Sequence, residues 1–515
     1  MYLLIYLSQK KSRSKVPCSN RLVYNIKPVE KFYITTSIPY VNGQPHLGHA
    51  MEFVQADALA RYHRQLKQDV LFSTGVDEHG AKNLESAQKN NKDPQVFVDE
   101  MTTNFINICK KLNISADRFI RTTDLAHKAA VQYLWQQMAA KGDIYKGIYK
   151  GYYDVGEEEF VTETEAQKNK GVSPHNGRPY QILEEENYFF KLSKYTAALK
   201  QLIETDAYKI IPNSRKHEIL SLLNQGLQDI SFSRPKGKLS WGVEVPGDPQ
   251  HVMYVWPDAL GNYITVLGYP DQPDFKKYWP ADLHVIGKNI LRFHAALWPA
   301  MLMSLGLSAP KALYVHGFIT VDSKKMGKSL GNAISPNEII DKYGTDSFRY
   351  FFLRHIPSYE DGDFTWERLE AAYSNELADQ LGNAVSRLAA MITRYQNGLI
   401  GDIPDPEHDI GLYQQAIEEC RFDRALEEVW EQVKGLNQYI EETRPWQLAK
   451  SKDADHLREV LANAVASLLE IAALLQPFMP DTAAKIQDVF ASGVLKPLAG
   501  PLFPKHDQPN PADPA

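Results

Sequence analysis

Residues 37–52, with the sequence SIPYVNGQPHLGHAME, decide the fold of this chain. A short apolar segment, FYI at residues 32–34, precedes them and is typical of a buried strand. After them, apolar residues recur at intervals of three and four, a spacing that predicts an amphipathic helix. These residues are Met51, Val54, Ala58, Leu59, Tyr62 and Leu66. Because glycine and proline lie between the two segments, the sequence predicts a strand, a tight turn and a helix.

Two histidines lie at the predicted start of that helix. His46 and His49 are three residues apart, so their side chains face the same way on the first helical turn. The first N–H groups of a helix lack internal partners and carry partial positive charge. Two imidazoles at this position can donate to an anion that gains charge in a transition state, which suits a nucleotide phosphate. The alternative is that both rings only cap the helix or lie buried.

Composition limits the classes of protein to consider. The chain has 515 residues, a formal net charge of −6, 43% hydrophobic and 23% charged residues, which is typical of a soluble protein with two or three domains. Contact with nucleic acid needs local basic patches in such a chain. The three cysteines lie far apart, which excludes a disulfide framework and a zinc knuckle and fits a reducing, cytoplasmic setting.

The first 28 residues form a basic leader without acidic residues, and we expect it to be disordered. Its apolar run, residues 1–7, is too short to cross a bilayer, and its charges follow that run, which is the wrong order for a secretory signal. An organelle transit peptide is the alternative, and it would move the predicted location from the cytoplasm to an organelle. No other segment predicts a membrane span.

A second strand is predicted at residues 70–73, and the polar loop 74–80 follows it. Ligands bind at the carboxyl edge of parallel sheets in α/β proteins. Asp77 in this loop is suited to pair with an ammonium group there, and the alternative is that it caps the next helix. Further along, Trp256 and Tyr263 can wall an apolar cavity, and burial in the core is the alternative. A strand at 283–286 then leads into Gly287, which permits the close approach of a ribose.

Residues 325–329, with the sequence KMGKS, follow a predicted strand at 312–315. Lys325 and Lys328 lie three apart around Gly327 and predict a mobile cationic loop at the end of the last strand of the sheet. Lysine serves as a point charge for phosphates. A solvated surface turn is the alternative, so the motif is specific only as the partner of the histidine motif.

From about residue 373 the sequence predicts helices that pack as a bundle. Two sets of apolar residues recur at threes and fours, namely Ala425, Leu426, Val429, Trp430, Val433, Leu436 and Ile440, and Leu457, Val460, Leu461, Ala464, Leu468, Ile471 and Leu475. Asn383 and Arg387 lie one helical turn apart, and Trp446 follows Pro445. A solvated face is the alternative for the first pair, and a core position is the alternative for Trp446.

Jointly these motifs resemble those of the methionyl-tRNA synthetase family of class I aminoacyl-tRNA synthetases, over residues 31 to about 490. HLGH at 46–49 and KMGKS at 325–329 resemble the two ATP signatures of the class, and IPYVNG at 38–43 is similar to the methionyl type. The resemblance implies an α/β fold. A Rossmann-like parallel-sheet catalytic domain is split by an insertion domain and followed by an α-helical bundle domain.

The expected organisation has seven parts. They are 1–28, the leader; 29–142, the first half of the catalytic domain; 143–240, the connective insertion of strands and loops; 241–320, the second half; 321–372, the region of the lysine loop and the stem contact; 373–495, the helical anticodon-binding domain; and 496–515, a tail.

The resemblance also implies roles for single residues. The catalytic residues are His46, His49, Lys325 and Lys328. Methionine is bound by Ile38, Tyr40, Asp77, Trp256, Ala259, Leu260, Tyr263, Ile290 and His294. ATP is bound by Gly48, Gly287, Asn289, His316, Ile319, Lys325, Lys328 and Ser329. The anticodon is bound by Asn383, Arg387, Pro445 and Trp446. Asp77 pairs with the substrate's α-amino group, and His294 and Tyr40 meet the sulfur or orient each other.

Some positions depart from the family pattern. Leu260 stands where proline is frequent, Asn289 where aspartate is frequent, and Gly327 where serine is usual. An amide at Asn289 still bonds a hydroxyl. At the position of the family's zinc knuckle the chain reads YDVGE, residues 153–157, with carboxylates in place of both cysteines. We therefore expect no structural zinc, and a hard-cation site on these two carboxylates is the alternative.

The implied reaction has two steps. The carboxylate of L-methionine attacks the α-phosphorus of ATP, with Mg²⁺ bound, and the 3′-terminal ribose hydroxyl of tRNA(Met) then attacks the carbonyl of the methionyl-adenylate. We expect a monomer without membrane contact. The insertion of roughly a hundred residues is too short for the isoleucyl, leucyl and valyl types. A cysteinyl-type synthetase, a small-substrate nucleotidyltransferase and a non-catalytic tRNA-binding relative are the alternatives.

Overall fold

A computed structural model describes residues 30–156, 159–161, 163–174, 176–325, 334–405, 409–451, 453–498 and 500–505. The predicted leader, and residues 326–333 with Gly327, Lys328 and Ser329, lie outside the described residues, and of Lys325 only the main chain is described. Within the described ranges, no helix combines the length and the apolar character that crossing a membrane requires.

The strands are β1 Lys31–Thr36, β2 Asp69–Val76, β3 Arg118–Arg121, β4 Ile144–Asp154, β5 Glu159–Val161, β6 Gln181–Phe190, β7 Lys209–Ile211, β8 Ile230–Ser231, β9 Ser233–Pro235, β10 Glu244–Val245, β11 Asp248–Met253, β12 Leu283–Gly287, β13 Ala312–His316, β14 Ile319–Val321, β15 Lys324–Lys325 and β16 Gly362–Phe364. Six of them form a parallel sheet in the order β3-β2-β1-β12-β13-β7. The chain leaves β1 toward β2 and leaves β12 toward β13, so the strand order reverses between β1 and β12. Ligands bind at such a point.

The helices are α1 Leu47–Gln65, α2 Ala81–Lys89, α3 Pro94–Lys111, α4 Leu125–Ala140, α5 Glu163–Lys168, α6 Thr196–Glu204, α7 Asn213–Gln225, α8 Val255–Thr265, α9 Pro273–Tyr278, α10 Trp298–Leu305, α11 Pro336–Tyr343, α12 Thr345–Arg354, α13 Trp366–Ala371, α14 Asn383–Gln396, α15 Gly411–Glu418, α16 Phe422–Thr443, α17 Pro445–Ser451, α18 Ala454–Leu475 and α19 Pro480–Phe490. Residues Phe293–Leu297 and Ala372–Gly382 are π-helical, and Leu192–Tyr195 and Lys288–Ile290 are 3₁₀-helical.

The predicted fold class is confirmed. β1 and α1 form around the apolar positions that the sequence pattern indicates, and those positions are buried apart from the half-buried Phe32 in β1 and Leu66 just after α1. In α16 and α18, every apolar residue of the two predicted sets is buried. Helix α18 ends at Leu475, two residues before Pro477, and Pro480 begins α19.

The segment 143–240 contains the predicted strands and loops, and it also reaches into the core. Strands β5-β4-β6-β8 form an antiparallel sheet. The short strand β7, however, pairs in parallel with β13 as the edge of the central sheet. The central sheet therefore takes one of its strands from within the predicted insertion. A strand of only three residues carries too little pattern to be recognised in the sequence.

Two more findings differ from the expectations. β14, β15 and β16 form a separate small sheet, and the turn between β14 and β15 has positive φ at Asp322 and Ser323. Lys325 thus lies on a hairpin strand of this small sheet, so the expectation that it lies directly at the end of the last strand of the central sheet is wrong. In the predicted tail, Phe503 is buried, and the Tyr373 hydroxyl donates to the Pro504 carbonyl at 2.6 Å. Residues 500–505 thus pack against the π-helical segment before α14.

One buried guanidinium joins the sheet to the bundle. Arg349 on α12 is fully buried and forms an ion pair with Asp57 of α1 at 2.7 Å. It also donates to the carbonyls of Pro477 and Phe478, between α18 and α19, at 2.9 and 2.7 Å. Burial by itself raises the pKa of Asp57, but Arg349 and Arg61 outweigh it and lower that pKa. The helix that carries the two histidines is thereby held directly against the bundle.

Candidate active site

Helix α1 begins with a cap made by its own two imidazoles. Nδ1 of His46 accepts a hydrogen bond from the N–H of Gly48 at 3.1 Å, and Nδ1 of His49 accepts one from the N–H of His46 at 3.4 Å. The rings are stacked, with centroids 3.6 Å apart. Because each Nδ1 is an acceptor, each neutral ring carries its proton on Nε2, where it is a donor. Both imidazoles therefore cap the helix, and the cap also fixes the position of two stacked rings whose Nε2 atoms are the donors.

Glycine makes room for these side chains. A Cβ at Gly48 would lie 3.1 Å from Cε1 of His46, tighter than ordinary contact, so a larger residue there would displace the imidazole ring by a few tenths of an ångström. At the end of β12, a Cβ at Gly287 would lie 3.1 Å from Oδ1 of Asn289. Gly287 pairs in register with His316 at the end of β13. Three of the predicted ATP-binding residues, Gly287, Asn289 and His316, thus lie together.

A carboxylate that the sequence analysis missed connects this edge of the sheet. Glu52 on α1 is 7% exposed and bonds Nε2 of His316 at 2.9 Å. Its other oxygen accepts from the hydroxyl of Ser37 at 2.6 Å, just after β1. The second nitrogen of His316 donates to the carbonyl of Gly317 at 2.8 Å. An acidic residue among the apolar positions of α1 is the signal that could have indicated this role. Ile319, the first residue of β14, is buried just after His316 and Gly317.

The loops after β1 and β2 meet. The N–H of Asp77 donates to the carbonyl of Pro39 at 2.9 Å, and Tyr40 and Asp77 form a parallel bridge. Asp77 is 4% exposed, and its Oδ1 accepts from the N–H of His79 at 3.3 Å. The alternative role as a helix cap is wrong, because Gly80 occupies the cap of α2 and no side chain bonds there. Ile38 lies in the same loop as Tyr40 and is half-buried.

The aromatic wall forms between α8 and the irregular segment after β12. Trp256 stacks on Phe293 with centroids 3.6 Å apart, and the ring of His294 approaches the indole at 6.5 Å, edge to face. The hydroxyl of Tyr263 lies 2.7 Å from Nε2 of His294, whose Nδ1 donates to the carbonyl of Ile290 at 3.0 Å. Nε2 of His294 is therefore the acceptor and the tyrosine hydroxyl the donor.

This arrangement corrects one expectation and adds one residue. The partner of His294 is Tyr263, whereas the ring of Tyr40 lies under the ammonium of Lys82, 5.2 Å from its centroid. Burial lowers the pKa of His294 to about 4, so the ring is neutral at pH 7. Phe293 was not predicted, because it lies on a π-helical turn, Phe293–Leu297, which regular helical spacing does not indicate. Ala259 and Leu260 are buried on α8 beside Trp256.

The predicted anticodon-binding residues lie on the bundle, at the ends of helices. Asn383 is the exposed first residue of α14, and Arg387 pairs with Glu441 of α16 at 2.5 Å. Pro445 starts α17, and Trp446 is half-buried against the core. Because α17 packs against both α14 and α18, these residues share one end of the bundle.

At the position of the family's zinc knuckle, this chain has a hydrogen-bonded aspartate. Asp154 is buried, and its Oδ1 accepts from the N–H of Gly156 at 2.8 Å and from the side-chain amide of Asn176 at 2.9 Å. Glu157 lies outside the described residues. In the part of the chain that the structure describes, no cluster of three or more histidine, cysteine or acidic side chains is arranged to hold a metal ion.

Known proteins resemble the chain over most of its length. The family model described as tRNA synthetases class I (M) matches residues 32–179 and 169–389. The methionine–tRNA ligase of Thermotoga maritima is 44% identical over 473 residues, 88% of this chain and 74% of that protein. The one of Brucella melitensis is 41% identical over 511 residues, 93% of this chain and 98% of that protein. The structure of Mycobacterium tuberculosis methionyl-tRNA synthetase in complex with methionyl-adenylate has a TM-score of 0.87 at 36% identity and covers 92% of this chain and 100% of that one.

The parallel sheet, the imidazole cap and these similarities show that the chain belongs to the class I tRNA synthetases. Within that class it belongs to the methionine type, and its function is that of a methionine–tRNA ligase. The alternatives of a cysteinyl-type synthetase and of a small-substrate nucleotidyltransferase are therefore set aside.

Proposed function

We propose that this site activates L-methionine with ATP and transfers it to the 3′ end of tRNA(Met). One observation carries the assignment of residues. The imidazole cap and Asp77 follow β1 and β2, His316 ends β13, and Phe293 and His294 of the aromatic wall follow β12. These four strands are neighbours in the parallel sheet, and α8 adds Trp256 and Tyr263 to the same edge. An amino acid and a nucleotide that enter this edge are held side by side, which removes most of the entropic cost of their encounter.

Methionine binds in two parts. The carboxylate of Asp77 pairs with the α-ammonium group, because a nearly buried anion favours a charged donor. The side chain lies along Ile38, Tyr40, Trp256, Ala259, Leu260, Tyr263, Ile290 and His294. A thioether is polarisable and gains from contact with ring edges. The neutral His294 keeps the Tyr263 hydroxyl occupied, so the cavity offers few hydrogen bonds to a polar competitor.

Adenylate formation needs little proton transfer, so positioning and charge stabilisation are the main terms. The Nε2–H groups of His46 and His49 donate to the phosphate oxygens that gain charge. Gly48, Gly287, Asn289, His316 and Ile319 hold the nucleoside. From the sequence motif alone, Lys325, Lys328 and Ser329 bind the outer phosphates together with Mg²⁺.

The bundle selects the tRNA. Asn383 and Arg387 donate to base edges, and the indole of Trp446, next to Pro445, stacks on an unpaired base. The half-exposed position of Trp446 supports this role, because a fully buried indole could not receive a base.

The decisive experiment is methionine-dependent exchange of pyrophosphate into ATP by the purified chain. We expect methionine to support exchange best among the twenty amino acids. Faster exchange with another amino acid would refute the substrate assignment. In the same preparation, a monomer on gel filtration and the absence of stoichiometric zinc in metal analysis are expected, since hydrogen bonds already occupy Asp154. One bound zinc per chain would contradict the zinc-free assignment.

A further inference from the structure

A buried carboxylate behind the methionine site links its two parts. Asp258 is 1% exposed and lies on α8, two residues after Trp256. Its Oδ2 accepts from Nδ1 of His79 at 2.7 Å, and its Oδ1 from Nε2 of His127 on α4 at 2.9 Å. The other nitrogen of His127 bonds the hydroxyl of Thr265, at the end of α8, at 2.8 Å. Both oxygens of Asp258 therefore have a ring N–H donor.

The link reaches the ammonium site through the loop after β2. The N–H of His79 donates to Oδ1 of Asp77, so the residue that binds Asp258 also orients the carboxylate proposed to hold the substrate's ammonium group. The rings of Trp241 and His79 pack edge to face with their centroids 5.5 Å apart, and the indole N–H of Trp241 donates to the carbonyl of Glu78 at 2.6 Å. The loop is thus fixed from both sides.

Hydrogen bonds from two ring N–H groups to the buried Asp258 carboxylate give this link its rigidity. Burial alone raises the pKa of Asp258, but the charges and N–H donors of His79 and His127 outweigh it and lower that pKa. A carboxylate with two ring donors stays ionised and holds both rings by charge-assisted hydrogen bonds. The side chain of Asp258 is directed toward His79 and His127, while Trp256, Ala259, Leu260 and Tyr263 on the same helix contribute to the proposed methionine site.

We propose that Asp258 is a positioning residue that fixes the distance between Asp77 and the aromatic wall, and so sets the length of the amino-acid side chain that the site accepts. This inference rests on the proposed role of Asp77. The inference predicts that weakening the contacts of Asp258 impairs the binding of molecules that contact both Asp77 and the aromatic wall. Molecules that contact only the aromatic wall should bind as before.

The test compares substitutions of the two histidines that donate to the Asp258 carboxylate. His79→Gln weakens the link to the Asp77 loop, whereas His127→Gln weakens the link to α4 and serves as the matched control. In pyrophosphate exchange, we expect His79→Gln to raise the KM for methionine by about tenfold, since small displacements of a binding group are costly. The KM for ATP should stay within twofold, and His127→Gln should change neither.

A competitor without an ammonium group makes the test sharper. For 4-(methylthio)butanoate, which occupies only the side-chain part, the inhibition constant should stay within about twofold in His79→Gln, because the cavity itself is intact. Asp258→Asn should also lower the preference for methionine over ethionine, which is one methylene longer. An equal rise of the inhibition constant and of the KM for methionine would overturn the proposal, because the cavity would then have collapsed. An unchanged KM for methionine would also overturn it.

The variant Asp77→Asn separates this inference from the proposed function. If Asp77→Asn leaves the KM for methionine unchanged, the assignment of the ammonium site fails, and the inference fails with it. If Asp77→Asn raises that KM and His79→Gln does not, the ammonium site stands and only the positioning role of Asp258 is refuted. His79→Gln keeps the question answerable if Asp258→Asn does not fold.

Discussion

The methionine site and the proposed anticodon surface are built in opposite ways. At the sheet edge, His294 and Asp77 are 2% and 4% exposed, and both ring nitrogens of His294 are hydrogen-bonded. On the bundle, the ion pair between Arg387 and Glu441 has side chains that are 33% and 58% exposed. Catalysis needs groups that are fixed before the substrate arrives, while the reading of unpaired bases needs faces that are open to them.

The comparison has a physical consequence for variants. Substitutions in the closed site should change stability and activation together, because buried groups lose partners that nothing replaces. Substitutions on the open surface should change the choice of tRNA and little else. Arg349 lies between the two regions and, like the residues of the methionine site, is buried with its polar groups paired.

The largest effect is expected for Arg349→Met, which would break the connection between the regions. The variant leaves the buried Asp57 paired with Arg61 but without Arg349. Loss of one member of a buried ion pair costs up to about 3–5 kcal/mol of unfolding free energy. Urea unfolding measures this loss. The control is Arg458→Met on α18, whose pair with Asp455 is exposed and should contribute less than about 1 kcal/mol. Similar effects of the two substitutions would contradict the central place given to Arg349.

His49→Glu tests whether the imidazole cap does more than start a helix. Glutamate at this position can complete a capping box, so the melting temperature should change little. It removes the Nε2–H donor, however, and the loss of one such donor lowers rates by about 10²–10³-fold. Pyrophosphate exchange should fall by at least that factor, because the new carboxylate also repels the phosphate oxygens. Near-normal exchange would show that His49 has only a structural role.

The acid stability of the closed site depends on His294. The pKa of its ring is about 4 in the folded chain and 6.5 in the reference state. Between these values the unfolded chain binds a proton that the folded chain does not, so this contribution to stability is lost as the pH falls from 6.5 to 4. Between pH 7 and pH 4, the free energy of unfolding of His294→Gln should therefore fall by about 3 kcal/mol less than that of the unsubstituted chain. Urea unfolding at several pH values measures the difference, and identical pH profiles would contradict it.

The smallest effect is expected on the open surface. Trp446→Ala should weaken the binding of tRNA(Met) by about 1–3 kcal/mol, which is the contribution of a base stacked on an aromatic ring, and charging of tRNA(Met) should fall accordingly. Exchange with methionine should remain within twofold, because the site at the sheet edge is untouched. Both activities are measured on one preparation. Equal losses in the two assays would make Trp446 a structural residue and would remove the contrast between the regions.

Local patterns were enough to predict part of this structure. The apolar period of α1 and the imidazoles three apart indicated the strand, turn and helix around His46 and His49, because each signal lies within a few residues. Asp258 gave no such signal, since His79 and His127 are 179 and 131 residues away from it in the chain. Phe293 lies on a π-helical turn and stacks on Trp256, which is distant from it in the chain. Tertiary contacts of this kind cannot be read from sequence spacing.

A structure of the chain with a non-hydrolysable methionyl-adenylate analogue is the most direct test of the proposed site. We expect the ammonium group within hydrogen-bonding distance of Asp77, the thioether between Trp256 and Tyr263, and the phosphate oxygens at the Nε2 atoms of His46 and His49. A ligand whose ammonium group lies away from Asp77, or whose phosphate contacts neither imidazole, would contradict the account.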